Sequence, residues 1–300
     1  MTFEHNPIIY LQNNLYIFRD DLYPFLGGGN KGRKIEYIGK EIESKKCNAV
    51  VTTGGIQSNH CRTLAILAAL KKWKCILVLH GNRDDFYEQG GNAKIMRLSG
   101  AEIVFVDSPE EISSKMDQSM DDLTMQGYSP YYVYGGGHTF AGGLAYIDAI
   151  EQMKNYCDQI EWFPDYIFLA SGTGSTHAGI LAGIDKYKLH TKVIGISVAR
   201  EKQRAEKIVE NFYKGLCEKN NIEFLQNDVV IADDYLCGGY EKYNVHIKEL
   251  SENSIKKYGF TLDTTYTGKA FYGMLDYMKK NNMNGNVLFW HTGGIFNFLA

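Results

Sequence analysis

No apolar run in this chain approaches the roughly 18 residues that would span a bilayer. The longest are strand-sized pieces such as Cys75 to Leu79. There is no excess of basic residues: 32 Lys and Arg face 35 Asp and Glu, for a formal charge of −3. A strongly basic nucleic-acid surface is therefore excluded, and neither nucleic-acid nor membrane partners are expected. Met1 to His5 lack a basic stretch leading into an apolar core, so no secretory leader is expected. The six cysteines, at 47, 61, 75, 157, 217 and 237, form no CxxC pair. A chain this long needs no disulfide framework, so reduced thiols and a cytoplasmic location are expected. No HExxH or other short-spaced histidine pair occurs, so no metal centre is expected, and there is no GxSxG elbow. Internal repeats, low-complexity tracts and Pro/Ser-rich linkers are also missing. Any second domain is then packed closely or inserted.

What is there reads as α/β. Hydrophobic residues are 44% and charged residues 22%, ordinary values that exclude disorder and coiled coil. A length of 300 residues suits one large or two moderate domains. Strands are predicted at Ala49–Thr53, Cys75–His80, Glu102–Asp107, Tyr131–Tyr134, Tyr166–Ala170, Val193–Val198 and Val287–His291. Helices are predicted between them, among them Asn59–Trp73 and Thr267–Lys280, from apolar residues at 3–4 spacing. Nearly continuous apolar strands alternating with helices imply parallel sheets covered on both faces. Such sheets hold ligands at the carboxyl ends of their strands. Five unusual loops are assigned there: Gly27–Glu36, Thr53–Arg62, Ala170–Gly179, Asp263–Ala270 and His291–Gly294.

In the first loop, glycines at 27 to 29 lead into a helix and place Lys31 where it starts. A lysine taken singly is usually a solvated charge, and becomes a Schiff-base former only when burial or neighbouring cations such as Arg33 and Lys34 lower its pKa. In the second, Ser58 or Asn59 suffices as a helix cap, yet Gln57, Ser58, Asn59 and His60 together put four polar groups at one helix start, a natural carboxylate site. In the third, Ser171 to Gly179 offer backbone N–H groups and hydroxyls suited to a phosphate. The lysine of a P-loop is missing, and the next strand ends in Ala199 and Arg200 rather than an acidic residue, so a phosphate monoester fits better than a nucleotide. Tyr266 fits a buried aromatic with a bonded hydroxyl as well as a site residue, and His291 fits a core histidine better than a catalyst.

Taken together the loops resemble the pyridoxal-phosphate enzymes of fold type II, and within them the D-cysteine desulfhydrase and 1-aminocyclopropane-1-carboxylate deaminase family. The motifs GGNKGRKIEY (Gly28 to Tyr37), GGIQSNHCR (Gly54 to Arg62), SGTGSTHAG (Ser171 to Gly179), YTGKA (Tyr266 to Ala270) and HTGG (His291 to Gly294) stand in the family order. The resemblance implies a tryptophan synthase β-like fold with a large cofactor domain (1–35 and 136–300), a small inserted domain (36–135), and pyridoxal phosphate in a cleft between them. It implies a homodimer acting on a small amino acid.

Residue roles follow from the same resemblance. Lys31 matches the lysine bonded to the coenzyme aldehyde, and Asn59 the residue at its phenolic oxygen. Thr173, Gly174, Ser175 and Thr176 match the phosphate cup, and Thr292 the hydroxyl facing the pyridine nitrogen. Ser58 matches a serine near the substrate carboxylate and the proton being moved. Tyr266, and Tyr240 after Gly238 and Gly239, match two tyrosines near the substrate. Gln57, Ser58, Asn59 and His60 form the implied substrate wall. Thr267 stands where the deaminase branch carries glutamate, and Thr292 and His60 also favour the desulfhydrase branch. The implied reaction is α,β-elimination to a 2-oxoacid such as pyruvate, ammonia and a leaving group such as sulfide. Aminocyclopropane carboxylate deamination, racemisation, β-replacement and L-cysteate lysis are the alternatives on the same fold. Cys61, the absence of proline before Tyr266, and bulky Ile295 to Phe298 depart from the family near the substrate side chain.

Overall fold

A computed structural model describes residues 8–300. Met1 to His5, on which the leader expectation falls, lie outside the described residues. Two short strands open the chain, β1 (Ile8–Gln12) and β2 (Leu15–Phe18), followed by α1 (Gly29–Ser44). Then come β3 (Ala49–Gly55), α2 (Asn59–Lys71), β4 (Lys74–His80), α3 (Arg83–Glu88), α4 (Gly91–Leu98), β5 (Glu102–Phe105), α5 (Ile112–Met125) and β6 (Pro130–Tyr132). The chain continues through α6 (Phe140–Gln159), β7 (Tyr166–Ser171), α7 (Ser175–Tyr187), β8 (Lys192–Ser197), α8 (Lys202–Lys219) and β9 (Val230–Ala232). It closes with α9 (Val245–Tyr258), α10 (Thr267–Lys280), β10 (Val287–Trp290) and α11 (Ile295–Phe298).

Contacts divide the chain into two compact units. One holds the residues up to Asn30 with Gly143–Phe298; the other holds Lys31–Gly142 with Leu299–Ala300.

The first unit is built on a six-stranded sheet in the order β1-β2-β10-β7-β8-β9. Along β7 the side chains alternate between two cores. Ile167 and Leu169 join Ile147, Ile180 and Val209 from α6, α7 and α8, whereas Phe168 and Ala170 join Phe271 and Met274 from α10. A strand buried on both faces has no polar side to show, hence its unbroken apolar run. Buried Asp20, just past β2, accepts from Tyr146 Oη (2.5 Å) and Trp290 Nε1 (3.0 Å), pegging this end of β2 to α6 and β10.

The second unit carries a four-stranded parallel sheet in the order β5-β4-β3-β6. Val51, Ile76 and Val78 pack with Met116 and Leu123 of α5. Val50 and Leu77 point the other way and are equally buried, and α2 lies against β3 and β4.

All seven predicted strands are present, with ends moved by one or two residues. Three were missed. β1 and β2 form an antiparallel hairpin through Asn13 and Asn14, both at positive φ, so the larger sheet is mixed rather than wholly parallel. β9 has only three residues. The Asp263–Ala270 loop follows α9 rather than a strand, so it is not a strand-end loop. Gly27–Glu36 is a helix from Gly29 onward.

Candidate active site

Lys31 lies in the first turn of α1, and the chain before it is set by glycine. Gly27, Gly28 and Gly29 have φ of 79, 54 and 79°, left-handed conformations that favour glycine. A Cβ at Gly29 would stand 2.7 Å from the Thr292 carbonyl oxygen, so glycine is what lets the two loops touch. The Asn30 N–H then donates to that carbonyl at 2.9 Å. The residue before the lysine is thus anchored through its backbone.

Within the second unit Lys31 Nζ donates to the Gly136 carbonyl at 2.8 Å. Burial lowers its pKa from the ordinary lysine value to about 8. Arg33 and Lys34 are themselves buried, and burial rather than their charge is the cause of the shift. The amine is therefore closer to its nucleophilic, neutral form at neutral pH than a surface lysine.

Helix α2 begins beside the same framework. Ser58 is its N-cap, with Oγ accepting from Cys61 N at 3.2 Å, which leaves the hydroxyl proton for another acceptor. Asn59 Oδ1 accepts from Asn92 Nδ2 at 3.1 Å, which turns the Asn59 amide nitrogen the other way. Gln57 is used structurally: its Oε1 accepts from the Asn92 and Ala93 N–H groups and caps α4, while its Nε2 donates to Gln89 Oε1. His60 is buried and turned inward. The Thr52 hydroxyl donates to the Val133 carbonyl (2.7 Å), so His60 Nε2 donates to Thr52 Oγ1 at 3.0 Å. Burial, then the Lys31 and Lys34 charges, push its pKa down to about 3, so the ring is neutral. Of the four predicted wall residues, Gln57 and His60 are engaged within this internal network.

In the first unit α7 starts at the Ser/Thr turn. Its capping position is Gly174, at φ 94°, with no side-chain bond to the helix. The first-turn N–H groups of a helix lack intrahelical acceptors and carry a partial positive charge. Thr176 Oγ1 accepts from Asn30 Nδ2 at 3.2 Å, and the Arg200 guanidinium donates to the Gly172 carbonyl, adding a cation beside the turn. An uncapped helix start, three hydroxyl side chains and a nearby guanidinium make a receptacle for a small dianion.

The two predicted tyrosines meet: the Tyr240 and Tyr266 hydroxyls are hydrogen-bonded to each other. Burial and Tyr240 hold the Tyr266 pKa well above its ordinary value, so it stays protonated. Tyr266 is set by Asp263, a fully buried carboxylate that the sequence reading did not single out. Asp263 Oδ2 accepts from Thr265 N (3.0 Å) and Tyr266 N (2.8 Å), and Oδ1 from Thr267 N (3.0 Å) and Thr267 Oγ1 (2.7 Å). His291 is a satisfied core histidine, with Nε2 donating to the Thr261 carbonyl (2.7 Å) and Nδ1 accepting from Gly293 N (3.3 Å).

Each unit by itself offers part of what a phosphorylated aldehyde requires, the first a receptacle for phosphate and the second a half-buried amine with lowered pKa, and these residues fit such a group. The profile of the family described as "Pyridoxal-phosphate dependent enzyme" matches residues 5–293. The chain belongs to this family; it is an enzyme whose cofactor is pyridoxal 5'-phosphate. Among individual relatives, a D-cysteine desulfhydrase of Klebsiella pneumoniae is 29% identical over 95% of this chain and 88% of its own. One of Yersinia enterocolitica is 31% identical over the same shares. The crystal structure of an ACC deaminase homologue superposes with a TM-score of 0.89 at 31% identity, over 98% of this chain and 91% of its own. No helix among the described residues is long and apolar enough to cross a membrane.

Proposed function

We propose that the chain is a D-cysteine desulfhydrase-like lyase, performing α,β-elimination on a small amino acid with release of a 2-oxoacid, ammonia and a leaving group such as sulfide. The observation that carries this reading over ring opening lies after Tyr266. The residue there is Thr267, fully buried, with its hydroxyl donating to Asp263. It offers no carboxylate to hold a ring nitrogen protonated, and the Asp263 carboxylate is itself occupied by four hydrogen bonds. The relatives named as desulfhydrases span 95% of the chain, which agrees with this choice.

Pyridoxal phosphate, when bound, supplies an aldehyde for an amine and a conjugated ring that takes up the electrons of a broken Cα–H bond. The chain supplies the rest. Lys31 Nζ holds the coenzyme and serves as the base that moves the Cα proton, a task matched to a pKa of about 8. Thr173 to Thr176 at the start of α7 bind the phosphate, and Thr292 faces the ring nitrogen with a hydroxyl. Asn59, oriented by Asn92, donates to the phenolic oxygen. Ser58 keeps its proton for the substrate carboxylate, with its oxygen lone pair on Cys61 N. Tyr240 and Tyr266, hydrogen-bonded hydroxyl to hydroxyl, stand by the departing group. Gln57 and His60 act behind these residues, by fixing α4 and β3. On the family resemblance the proposal includes a small inserted domain, a homodimer and action in the cytoplasm, where the six free cysteines stay reduced.

The test is a screen of the coloured enzyme against D-cysteine, L-cysteate, D-serine and aminocyclopropane carboxylate. Sulfide and pyruvate from D-cysteine, with no 2-oxobutyrate from the cyclopropane, are expected. The reverse pattern overturns the branch assignment. Lys31→Ala is expected to abolish the visible band of the bound coenzyme and lower turnover at least about 1,000-fold. An unchanged band overturns the role of Lys31.

A further inference from the structure

We propose that Lys269 is a positioning residue: it tethers the loop Leu236–Glu241 and thereby sets Tyr240 against Tyr266. The inference rests on the reading of Tyr240 as a substrate-side residue.

Lys269 lies in the first turn of α10 and is 0% exposed. Two forces oppose it there. A lysine is seldom buried unless partnered, and a cation in a first turn stands at the positive end of the helix dipole. Its ammonium is directed at two backbone acceptors, the carbonyls of Leu236 (2.9 Å) and Gly239 (2.8 Å). The negative charge of Asp263 also acts on it favourably.

The tethered loop is built largely on left-handed backbone. Cys237, Gly238, Gly239 and Glu241 have φ of 55, 93, 133 and 62°. Nothing lies within 4 Å of the position a Cβ would take at Gly238 or Gly239. Its own turns are closed by Gly239 N to Leu236 O (3.0 Å) and Lys242 N to Gly239 O (3.2 Å). Lys269 donates to the same two carbonyls, so one ammonium clamps both turns. Tyr240 follows Gly239 directly, and its hydroxyl ends on Tyr266. The two tyrosines are thus set by buried groups of opposite sign: Asp263 through the Tyr266 N–H, and Lys269 through the carbonyls ahead of Tyr240.

The experiment compares the holoenzyme with Lys269→Met, Lys269→Gln, Tyr240→Phe and the double variant Lys269→Met/Tyr240→Phe, reading hydrogen exchange, the visible coenzyme band and kcat/KM on D-cysteine. In Lys269→Met, amide exchange is expected to quicken about tenfold or more over residues 236–242 and little elsewhere. The coenzyme band should persist while kcat/KM falls about 10- to 100-fold, the scale of a misplaced positioning group. Added to Tyr240→Phe, the same substitution is expected to cost no more than about threefold further, since both act through one hydroxyl. If Lys269→Met fails to fold, Lys269→Gln decides: its shorter, neutral side chain ends short of the two carbonyls, so faster exchange over residues 236–242 is again expected. Unchanged exchange over 236–242 overturns the tether. A full Lys269→Met loss that persists in the Tyr240→Phe background overturns its action through Tyr240. Unchanged kcat/KM in Tyr240→Phe alone overturns the assignment of Tyr240, and with it the purpose of the tether.

Discussion

Two helices begin at glycine-rich turns after buried strands, and they begin differently. At α2 the serine at the capping position closes its own helix end, and its neighbours Gln57, Asn59 and His60 bond to Asn92, Ala93 and Thr52 of the same unit. At α7 the capping position is Gly174, which has no side chain to offer. Both turns read alike in sequence, as glycines followed by hydroxyl and polar residues. Physically the first helix start is closed by its own serine, whereas the second has no side-chain cap. On the proposed function the first orients donors toward a substrate and the second takes an acceptor from the phosphate.

The largest expected effect comes from closing the open end. Gly174→Asp adds a carboxylate at the start of α7, beside the proposed phosphate site, and should weaken coenzyme binding by about 100-fold or more, given that hydrogen bonds to charged groups contribute about 1.5–3 kcal/mol each. Gly174→Asn brings the same strain, a Cβ at φ 94° standing 3.0 Å from Val209 Cγ2, without the charge, and should lose no more than about tenfold. Titration of the coenzyme-free protein by visible absorbance separates them, and equal losses would show that α7 does not hold the anion.

The next effect concerns the amine. Because burial places the Lys31 pKa near 8, below the ordinary lysine value, the neutral form appears at lower pH than for a surface lysine. The rate of coenzyme uptake should therefore rise about tenfold per pH unit up to about 8 and then level off. A rate still climbing at pH 10 would mean that the amine is not desolvated.

The smallest effect tests the closed end. Ser58→Ala in the coenzyme-free protein should lower stability by about 1 kcal/mol, the usual worth of an N-cap, as read by urea unfolding. No change would mean that α2 is not held by its serine.

Much of this was legible before any coordinates. The runs at 49–53, 75–80, 166–170, 193–198 and 287–291 are apolar throughout because their sheets are covered on both faces, and that signal survives in sequence. The β1–β2 hairpin was missed although Asn13-Asn14 between two apolar runs is a recognisable two-residue turn. The proposed site residues stood out in sequence because the proposed chemistry demands particular side chains. Their supports did not. Gly136 holds Lys31 through a carbonyl 105 positions away, and a carbonyl has no signature in sequence. Asn30 and Lys269 stood inside the quoted motifs without a role, and Asn92 follows a Gly-Gly pair at a helix start, the same cue as at Ser58. Asp263 betrays itself only through its four hydrogen bonds.

Strand β10 is the last strand in the chain, yet it sits inside its sheet, joining β2 to β7. During synthesis on the ribosome the β1–β2 hairpin and the β7–β8–β9 block therefore emerge as separate pieces, with a gap one strand wide between them. The carbonyl that anchors Asn30 belongs to Thr292 and leaves the exit tunnel later still. The sheet is thus joined only once β10 has been made, and a chain cut before Val287 keeps the early motifs but lacks the strand between the sheet's two halves.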